Sequence, residues 1–307
     1  MSWWSYLCYK LFAMILRALV RLQLRGLITV PPSQEVYHIP SRETGRTIKA
    51  HVYRSTCAPK PSPVLINLHG SGFIIPMHGS DGPFCRQISR ETSYTVLDVQ
   101  YRLSPEHPFP AAFHDVEDVV NWVRTSTSSR RKDPPEFDAS RIALSGFSAG
   151  GNLAVAAASA STRIPQQAIH CVIAFYPPLD LSTPPSAKSA PDPTGKPIPS
   201  AIAWIFDRCY MPAAVDARDP RISPHYNSQL QRFPDRLLLV TAARDGLALE
   251  AESLAARLRQ QLPGRDVVCE RMHGCDHGWD KSAKDGSIEA DARDKAYAMA
   301  VAMLSRS

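Results

Sequence analysis

Short apolar runs alternate with longer amphipathic segments from residue 47 to the end of the chain. The runs have the length of β-strands, and the segments between them repeat apolar residues every three or four positions, as amphipathic helices do. The predicted strands cover residues 47–54, 63–69, 94–101, 141–146, 169–176, 236–242 and 266–272, and the predicted helices cover 108–123, 150–161 and 248–262. Near-continuous apolar strands separated by helices predict an α/β fold with a mostly parallel, doubly wound sheet.

Residues 177–234 interrupt this alternation. They are rich in proline and contain a single helical fragment, AIAWIFDRCYM. Since a long irregular segment inside a compact domain is usually a functional insertion, we expect a cap over the core. The predicted organisation is an N-terminal helix and cap contribution in 1–45, an α/β core in 46–176 and 235–307, and the cap insertion in 177–234.

The N-terminal residues 3–24 are apolar but carry several positive charges. A bilayer-spanning helix needs about 20 consecutive apolar residues, which these charges exclude. The spacing predicts an amphipathic helix with Lys10, Arg17, Arg21 and Arg25 on one face and Trp3, Leu7, Leu11, Ile15, Ala18 and Leu22 on the other. We expect the apolar face to pack on AIAWIFDRCYM and the basic face to meet water. The alternative is that residues 1–25 make peripheral contact with a membrane surface.

Composition and charge exclude several classes of protein. Hydrophobic residues make up 44% and charged residues 21% of the chain, which is ordinary globular usage rather than that of a disordered protein. The net charge is +6, but the longest basic run is the triplet 130–132, so no nucleic-acid partner is expected. Seven cysteines, an odd number set mostly in apolar runs, indicate buried free thiols and a cytoplasmic location. Both a monomer and a homodimer are compatible with the sequence.

The segment RIALSGFSAGG places Ser148 between a strand and an alanine-rich helix. G-x-S-x-G in that context predicts a nucleophile elbow, a tight strand-to-helix turn that exposes the serine. We expect glycine at 146 and 150 because side chains there would collide with the neighbouring helix and strand. The alternative is that Ser148 only caps the helix.

A serine nucleophile requires a histidine base and a carboxylate that orients it, later in the chain. Asp245 and His277 each follow an apolar strand, so both are expected at the carboxyl edge of the sheet, where sites in open α/β sheets lie. We predict that Asp245 orients His277; Asp276 and Asp280 are the rival carboxylates.

The motif HGSGF, residues 69–73, follows another predicted strand, and its small residues let backbone amides turn inward. We predict that the N–H groups of Ser71, Gly72 and Ala149 stabilise an oxyanion, with His69 and Gly70 completing the motif.

The side chains of Trp204, Phe206, Tyr210 and Met211 are expected to roof a pocket of limited volume. Candidate substrate-pocket residues are Phe73, Phe147, Trp204 and Tyr210.

His273, Cys275 and His277 alternate along an extended segment, a spacing that metal ligands can adopt. The sequence has no second Cys/His cluster, and His277 is already needed as a base. We therefore predict no metal ion, and the serine chemistry calls for no cofactor.

Five motifs together resemble the hormone-sensitive-lipase-like carboxylesterases of the α/β-hydrolase fold. They are HGSGF, YRLSPEHPFPAAFHDV, GFSAGGNLA, DGL and HGW, in the family's order from about residue 60 to the end of the chain. The resemblance implies that Ser148 is the nucleophile, Asp245 the orienting acid and His277 the base. It also implies a helical cap built from the N-terminus and an insertion after Tyr176.

Three positions depart from the family pattern. Ser71 replaces the middle glycine of HGGG, Phe147 stands where Asp or Thr is usual, and Gly246 replaces a proline. In the YRLSPEHPFPAAF segment we expect Arg102 and Glu106 to pair and fix the loop near the active site.

The residues and the resemblance predict a serine carboxylester hydrolase that cleaves short-chain, acetyl-like esters of a small organic molecule through an acyl-enzyme. A small-molecule ester is therefore the expected partner. One alternative is an acyltransferase that uses the same site. Another is a non-catalytic ligand-binding member of the fold, against which the presence of His277 argues.

Overall fold

The computed structural model of the chain describes residues 3–23, 35–125 and 136–306. Arg25 and the basic triplet 130–132 lie outside the described residues, as do the side chains of Trp3 and Arg21.

Eight strands form one sheet in the order β1-β2-β4-β3-β5-β6-β7-β8. The β1–β2 and β2–β4 pairs are antiparallel, and the remaining neighbours are parallel. The predicted mostly parallel sheet is therefore confirmed. The strands are β1 (Glu35–Pro40), β2 (Thr47–Tyr53), β3 (Ser62–Leu68), β4 (Thr95–Val99), β5 (Phe137–Phe147), β6 (Ile169–Phe175), β7 (Arg236–Ala242) and β8 (Asp266–Met272).

Helices cover both faces of the sheet, as the near-continuous apolar strands require. The helices are α1 (Trp3–Gln23), α2 (Gly82–Glu91), α3 (Ala111–Thr125), α4 (Ala149–Ala160), α5 (Ser200–Tyr210), α6 (Ala248–Gln261) and α7 (Ile288–Ser305). One core contains residues of α3, α4 and α6, and the other contains residues of α2 and α7. Our sequence interpretation missed α7, whose buried positions are mostly alanines and give a weak periodic signal.

The direction of strand addition changes between β3 and β5. From β3 the chain adds β4 on one side, and then β5, β6, β7 and β8 on the other. In open α/β sheets, ligands bind at the carboxyl ends of the strands that flank such a switch point. HGSGF follows β3 and Ser148 follows β5, so the two motifs meet there.

The sheet begins before the boundary that we predicted at residue 46. Strand β1 pairs with β2 over its whole length, so residues 35–40 belong to the core rather than to the N-terminal segment. In the insertion 177–234, α5 is the long helix and three short 3-10 helices accompany it. Helix α1 contacts α5 through the Tyr9 and Trp204 rings, whose centroids are 6.5 Å apart.

Helix α1 docks through a different face from the one we predicted. Ala13 is fully buried beside Ile74, and the Arg17 guanidinium donates to Glu106 Oε1 at 3.0 Å and Oε2 at 2.9 Å. The apolar residues expected to pack on α5 are instead exposed: Leu11 by 60%, Ile15 by 54% and Leu22 by 60%. The expectation was wrong because a bidentate ion pair, which periodicity does not reveal, orients the helix.

The predicted Arg102–Glu106 pair does not form. Arg102 instead donates to the buried carboxylate of Asp115, with Nε 3.1 Å from Oδ1, because Glu106 is held by Arg17.

Among the described residues, no helix is long and apolar enough to cross a bilayer.

Candidate active site

Ser148 occupies the tight turn between β5 and α4. Its backbone dihedrals, φ 50° and ψ −119°, lie in a region that non-glycine residues rarely adopt. The Ser148 N–H donates to the Phe175 carbonyl at 2.9 Å, and the Asn152 N–H donates to the Ser148 carbonyl at 3.0 Å. These bonds hold a strained turn that exposes the serine hydroxyl.

Two glycines make this turn sterically possible. A Cβ on Gly146 would lie 2.3 Å from the carbonyl group of Gly150, and a Cβ on Gly150 would lie 2.0 Å from the carbonyl oxygen of Leu68. Both positions meet backbone atoms that cannot move aside. Helix α4 can therefore approach β3 and β5 only because these residues lack side chains.

His277 forms hydrogen bonds on both sides of its ring. Its Nε2 lies 3.0 Å from Ser148 Oγ, and its Nδ1 lies 2.7 Å from Asp245 Oδ2. The other carboxylate oxygen of Asp245 accepts from the Leu247 N–H at 3.1 Å, which fixes the carboxylate against the imidazole. The structure therefore brings together the three residues that the sequence singled out.

The rival carboxylates make other contacts. Asp276 accepts from the Lys196 N–H at 2.8 Å. Asp280 accepts from the Tyr176 hydroxyl at 2.5 Å and from the Tyr297 hydroxyl at 2.8 Å. The charge of Asp280 acts on His277, but its carboxylate oxygens are hydrogen-bonded to the two tyrosines.

The surroundings of His277 favour its protonated form. Burial lowers the pKa of the imidazole, but the charge of Asp245, its hydrogen bond and the charge of Asp280 together more than offset this effect. The net result is a pKa above the ordinary value of 6.5. A base that gains stability on protonation is suited to accepting the serine proton.

The HGSGF loop presents backbone amides near Ser148. Gly72 and Phe73 both have positive φ, 52° and 63°, which turns the chain sharply. The Ser71 hydroxyl accepts from the Phe73 N–H at 2.9 Å and lies 2.7 Å from the Tyr101 hydroxyl, so this side chain fastens the loop. Within the described part of the chain, no protein group accepts from the N–H of Ser71, Gly72 or Ala149. These amides are therefore available to a ligand.

A cleft of about 540 Å³ opens above these groups. Ser148, Gly72 and His277 line its floor, and residues of the insertion, including Pro199 and Phe206, line the opposite wall. This volume lies within the usual range for small-molecule sites, about 300 to 1,000 Å³.

Of the four candidate pocket residues, only Phe73 lines the cleft. Tyr210 lies behind Phe73, with its ring stacked on that of Phe73 at 3.6 Å. Trp204 is 45% exposed on the outer side of α5. These placements correct our interpretation, which could not determine the rotation of α5 about its axis.

Phe147 faces away from the cleft into the core. Its ring stacks on Phe175 at 4.4 Å, and the Lys281 ammonium lies 3.6 Å from its centroid. The lysine also contacts Asp81 at 2.7 Å and Asp280 at 2.8 Å. The aromatic residue in place of the family's usual Asp or Thr therefore takes part in a packed cation–π contact.

The cleft wall contains two ionisable residues, Lys188 and Asp207, that the sequence interpretation missed. Lys188 Nζ donates to Glu250 Oε2 at 2.6 Å and to the Asp180 carbonyl at 2.5 Å. Burial raises the pKa of Asp207 to about 7, although the charges of Lys188 and Arg208 lower it. Neither lies in a motif, so only the packing of the insertion brings them to the site.

The His273, Cys275 and His277 series does not converge on one point. His273 is exposed, Cys275 is buried, and His277 faces Ser148. The alternation of the sequence therefore does not produce a ligand cluster at this segment.

Comparison with known proteins places these features in a family. A family model described as an α/β-hydrolase fold matches residues 65–281. The chain is 30% identical over 226 residues to the carboxylic ester hydrolase LipN of Mycobacterium tuberculosis, an alignment that covers 71% of this chain and 57% of LipN. It is also 30% identical to the carboxylesterase NlhH of M. tuberculosis, over 56% of this chain and 54% of NlhH. The chain thus spans little more than half the length of these curated relatives.

Solved esterase structures match almost the whole chain. The thermophilic carboxylesterase EstE1, cloned from a metagenomic library, superposes with a TM-score of 0.79 at 28% identity and covers 96% of this chain and 98% of its own. An esterase of Pyrobaculum calidifontis superposes with a TM-score of 0.78 at 27% identity, over 95% of this chain and 92% of its own.

Proposed function

The chain belongs to the α/β-hydrolase family, in its hormone-sensitive-lipase-like carboxylesterase branch, and we propose that it is a serine carboxylester hydrolase acting on short-chain esters of small molecules. The observation that carries this proposal is the pair of hydrogen bonds at His277, 3.0 Å to Ser148 Oγ and 2.7 Å to Asp245. This pair faces a cleft lined with backbone amides that no group in the described part of the chain engages.

Acylation begins when Ser148 Oγ attacks the ester carbonyl and its proton passes to His277 Nε2. The carbonyl oxygen becomes an oxyanion, which the N–H groups of Ser71, Gly72 and Ala149 stabilise. The bond to the alcohol oxygen then breaks, and His277 gives the proton to the departing alkoxide. Asp245 holds the imidazole in the required tautomer and stabilises the imidazolium.

Deacylation repeats these steps with water as the nucleophile. His277 takes a proton from water, the hydroxide attacks the acyl carbonyl, and the carboxylic acid leaves as Ser148 recovers its proton. No metal or cofactor is needed to balance these steps.

The shape of the cleft supports a short acyl group. Phe206 closes the space above Gly72, so an acyl chain bound beside the oxyanion amides meets an aromatic wall. A missing or extra methylene in such a pocket changes discrimination by about 1 to 3 kcal/mol. We therefore expect acetate to hexanoate esters to be better substrates than long-chain lipids.

Trapping the acyl-enzyme tests the proposal directly. A fluorophosphonate should label the purified protein once, and peptide mass spectrometry should locate the label on Ser148. Ser148→Ala should remain folded, lose the label and lose several powers of ten of activity on an activated acetate ester. Retention of more than a few per cent of the rate by clean Ser148→Ala protein would refute the assignment.

Acyl transfer is the alternative with the same site. Adding small alcohols to a reaction on an activated acetate ester separates the two activities, because a transferase yields the new ester in preference to acetate. A non-catalytic receptor would show neither product, although the contact of His277 with Ser148 argues against it.

Peripheral membrane contact is a further proposal for the N-terminal helix. The exposed side of α1 is apolar, with Trp4, Leu11 and Leu19 all more than half exposed. Lys10 lies beside this surface on the same helix, a combination that suits an anionic lipid surface. Exposed apolar faces of this kind also occur at dimer contacts. Vesicle binding and the oligomeric state in solution distinguish a membrane contact from a dimer contact.

A further inference from the structure

Three potential metal ligands meet behind the HGSGF loop, outside the cleft. His51 of β2 lies directly opposite Asp98 of β4 in the antiparallel pairing. His78, from the loop between β3 and α2, stacks on the His51 ring with the centroids 4.1 Å apart. Its Nε2 lies 2.9 Å from the Asp98 carbonyl oxygen and 3.6 Å from Asp98 Oδ2. Residues separated by up to 47 positions in the sequence therefore form one cluster.

Two polar atoms of this cluster are buried and have no hydrogen-bond partner among the described residues. They are His51 Nδ1 and Asp98 Oδ2. The His51 residue is only 2% exposed and Asp98 is fully buried. Buried polar atoms are nearly always hydrogen-bonded, so these two atoms are available to bind a cation or another polar ligand.

The ionisation of the cluster suits a cation. Burial, with the charges of His78 and Lys49, lowers the pKa of His51 to about 4, and burial also lowers the pKa of His78 to about 4. Both imidazoles are therefore neutral at pH 7, which is the form that binds metal ions. Burial and the charge of Asp81 raise the pKa of Asp98 to about 7, although the hydrogen bonds from Asn67 and Gly79 and the charge of Lys281 lower it.

We propose that His51, His78 and Asp98 bind one divalent transition-metal ion of the zinc class. One donor atom from each residue lies within 4.8 Å of the others. Tetrahedral bonds of about 2.1 Å would bring these donors to about 3.4 Å apart, so the side chains must rotate, and His78 must give up its hydrogen bond to the Asp98 carbonyl if Nε2 is the ligand. Two imidazoles and a carboxylate are a common donor set for zinc and for other divalent transition metals.

The ion would link two strands of the sheet to the segment that follows the oxyanion motif. The His78 ring lies 6.1 Å from the His69 ring, which in turn stacks on Tyr101. None of the three ligands lines the catalytic cleft. The ion would therefore support the HGSGF loop from behind without touching a substrate.

Metal content and cobalt spectroscopy test the proposal. We expect chelator-treated protein to bind about one equivalent of Zn²⁺, and Co²⁺ to give the visible absorption of a low-coordinate site. His51→Gln, His78→Gln and Asp98→Asn should each weaken Zn²⁺ binding at least tenfold, whereas His38→Gln, on the exposed side of neighbouring β1, should leave it unchanged.

Zinc can also bind at the catalytic histidine of a serine hydrolase, so His277→Ala is the second control. On our proposal His277→Ala keeps the full equivalent of zinc. Binding lost in His277→Ala, or retained in both His51→Gln and His78→Gln, would overturn the assignment. So would a chelated wild-type protein that binds no zinc at micromolar concentration.

If the variants fail to fold, a measurement on the wild-type protein still tests the proposal. Zinc at 100 times its dissociation constant should raise the Tm of the chelated wild-type protein by about 3 °C or more, because the ion binds only the folded state. Mg²⁺ at the same concentration should not raise the Tm, because Mg²⁺ prefers oxygen ligands and this site offers two imidazole nitrogens. An unchanged Tm with zinc would count against the site.

Discussion

Phe206 of α5 lies so close to Gly72 of the oxyanion loop that a Cβ on Gly72 would come within 2.4 Å of the aromatic ring. The cap and the oxyanion loop are therefore in direct contact. Gly72 also has φ 52°, so its lack of a side chain serves both the turn and the approach of Phe206. An acyl group held by the Gly72 N–H must fit beneath this ring.

Phe206→Ala should extend the range of acyl chains that the protein accepts. Removing the ring opens space above Gly72, so we expect the preference for acetate over decanoate to fall about tenfold or more. The measurement is kcat/KM on a series of p-nitrophenyl esters. Trp204→Ala is a matched control, because its ring is 45% exposed on the other side of the same helix, and it should change this ratio less than twofold. If both variants shift the ratio equally, Phe206 does not limit the pocket.

The acid limb of the pH–rate profile should lie above pH 6.5. On the proposed mechanism His277 must be neutral to accept the Ser148 proton, and its pKa is raised. Activity should therefore rise with pH through that pKa and fall as the imidazole becomes protonated. The measurement is kcat/KM on an activated acetate ester, together with titration of the His277 ring by NMR.

Asp245→Asn should lower the pKa of the His277 imidazole to below 6.5. Without the carboxylate, the charge and hydrogen bond that raise the pKa are lost, and the effect of burial dominates. The rate should fall by about three to four powers of ten, since the amide favours the wrong imidazole tautomer. A near wild-type rate would transfer the orienting role to another carboxylate, such as Asp280, whose charge also acts on His277.

Gly150→Ala should destabilise the protein severely. The new methyl group would meet the Leu68 carbonyl oxygen at 2.0 Å, and neither backbone can move without breaking the contact of α4 with β3. We expect the free energy of unfolding to fall by about 3 kcal/mol or more in urea denaturation. Gly246→Ala is the control, because its nearest contact would be 3.5 Å, and it should change stability by less than about 0.5 kcal/mol.

Leu11→Glu with Ile15→Glu should abolish binding to anionic vesicles. The two residues are 60% and 54% exposed, so the charges should not disturb the docking of α1. Co-sedimentation of the wild-type protein with anionic vesicles should weaken as salt is added. The wild-type protein and the double variant should have equal kcat/KM on a small soluble ester. If the wild-type protein instead elutes as a dimer that the substitutions dissociate, this face is a contact between copies. A truncation of residues 1–25 that alters kinetics on bulky soluble esters would show that α1 shapes the cleft.

The fold and most of the catalytic site could be predicted from the sequence, because they depend on local chemistry. Strands such as β3 read as continuous apolar runs because both faces of the sheet are covered. Ser148 could be recognised because a strained turn requires particular glycines at fixed offsets. Asp245 and His277 could be placed because parallel strands end at the same edge of the sheet. Each of these constraints acts within a few residues along the chain or follows from strand order.

Tertiary packing decided the features that depend on how the elements are rotated against one another. Periodicity identifies an amphipathic helix, but it does not say which neighbour offers an ion pair, and so the docking of α1 through Arg17 was not predicted. For the same reason Phe206 rather than Trp204 faces the cleft. His51, His78 and Asp98 carry no motif, since their proximity arises from the pairing of β2 with β4 and from the path of a loop. Side chains from distant positions meet only when the sheet has formed, because burial and cross-strand register, not sequence spacing, bring them together.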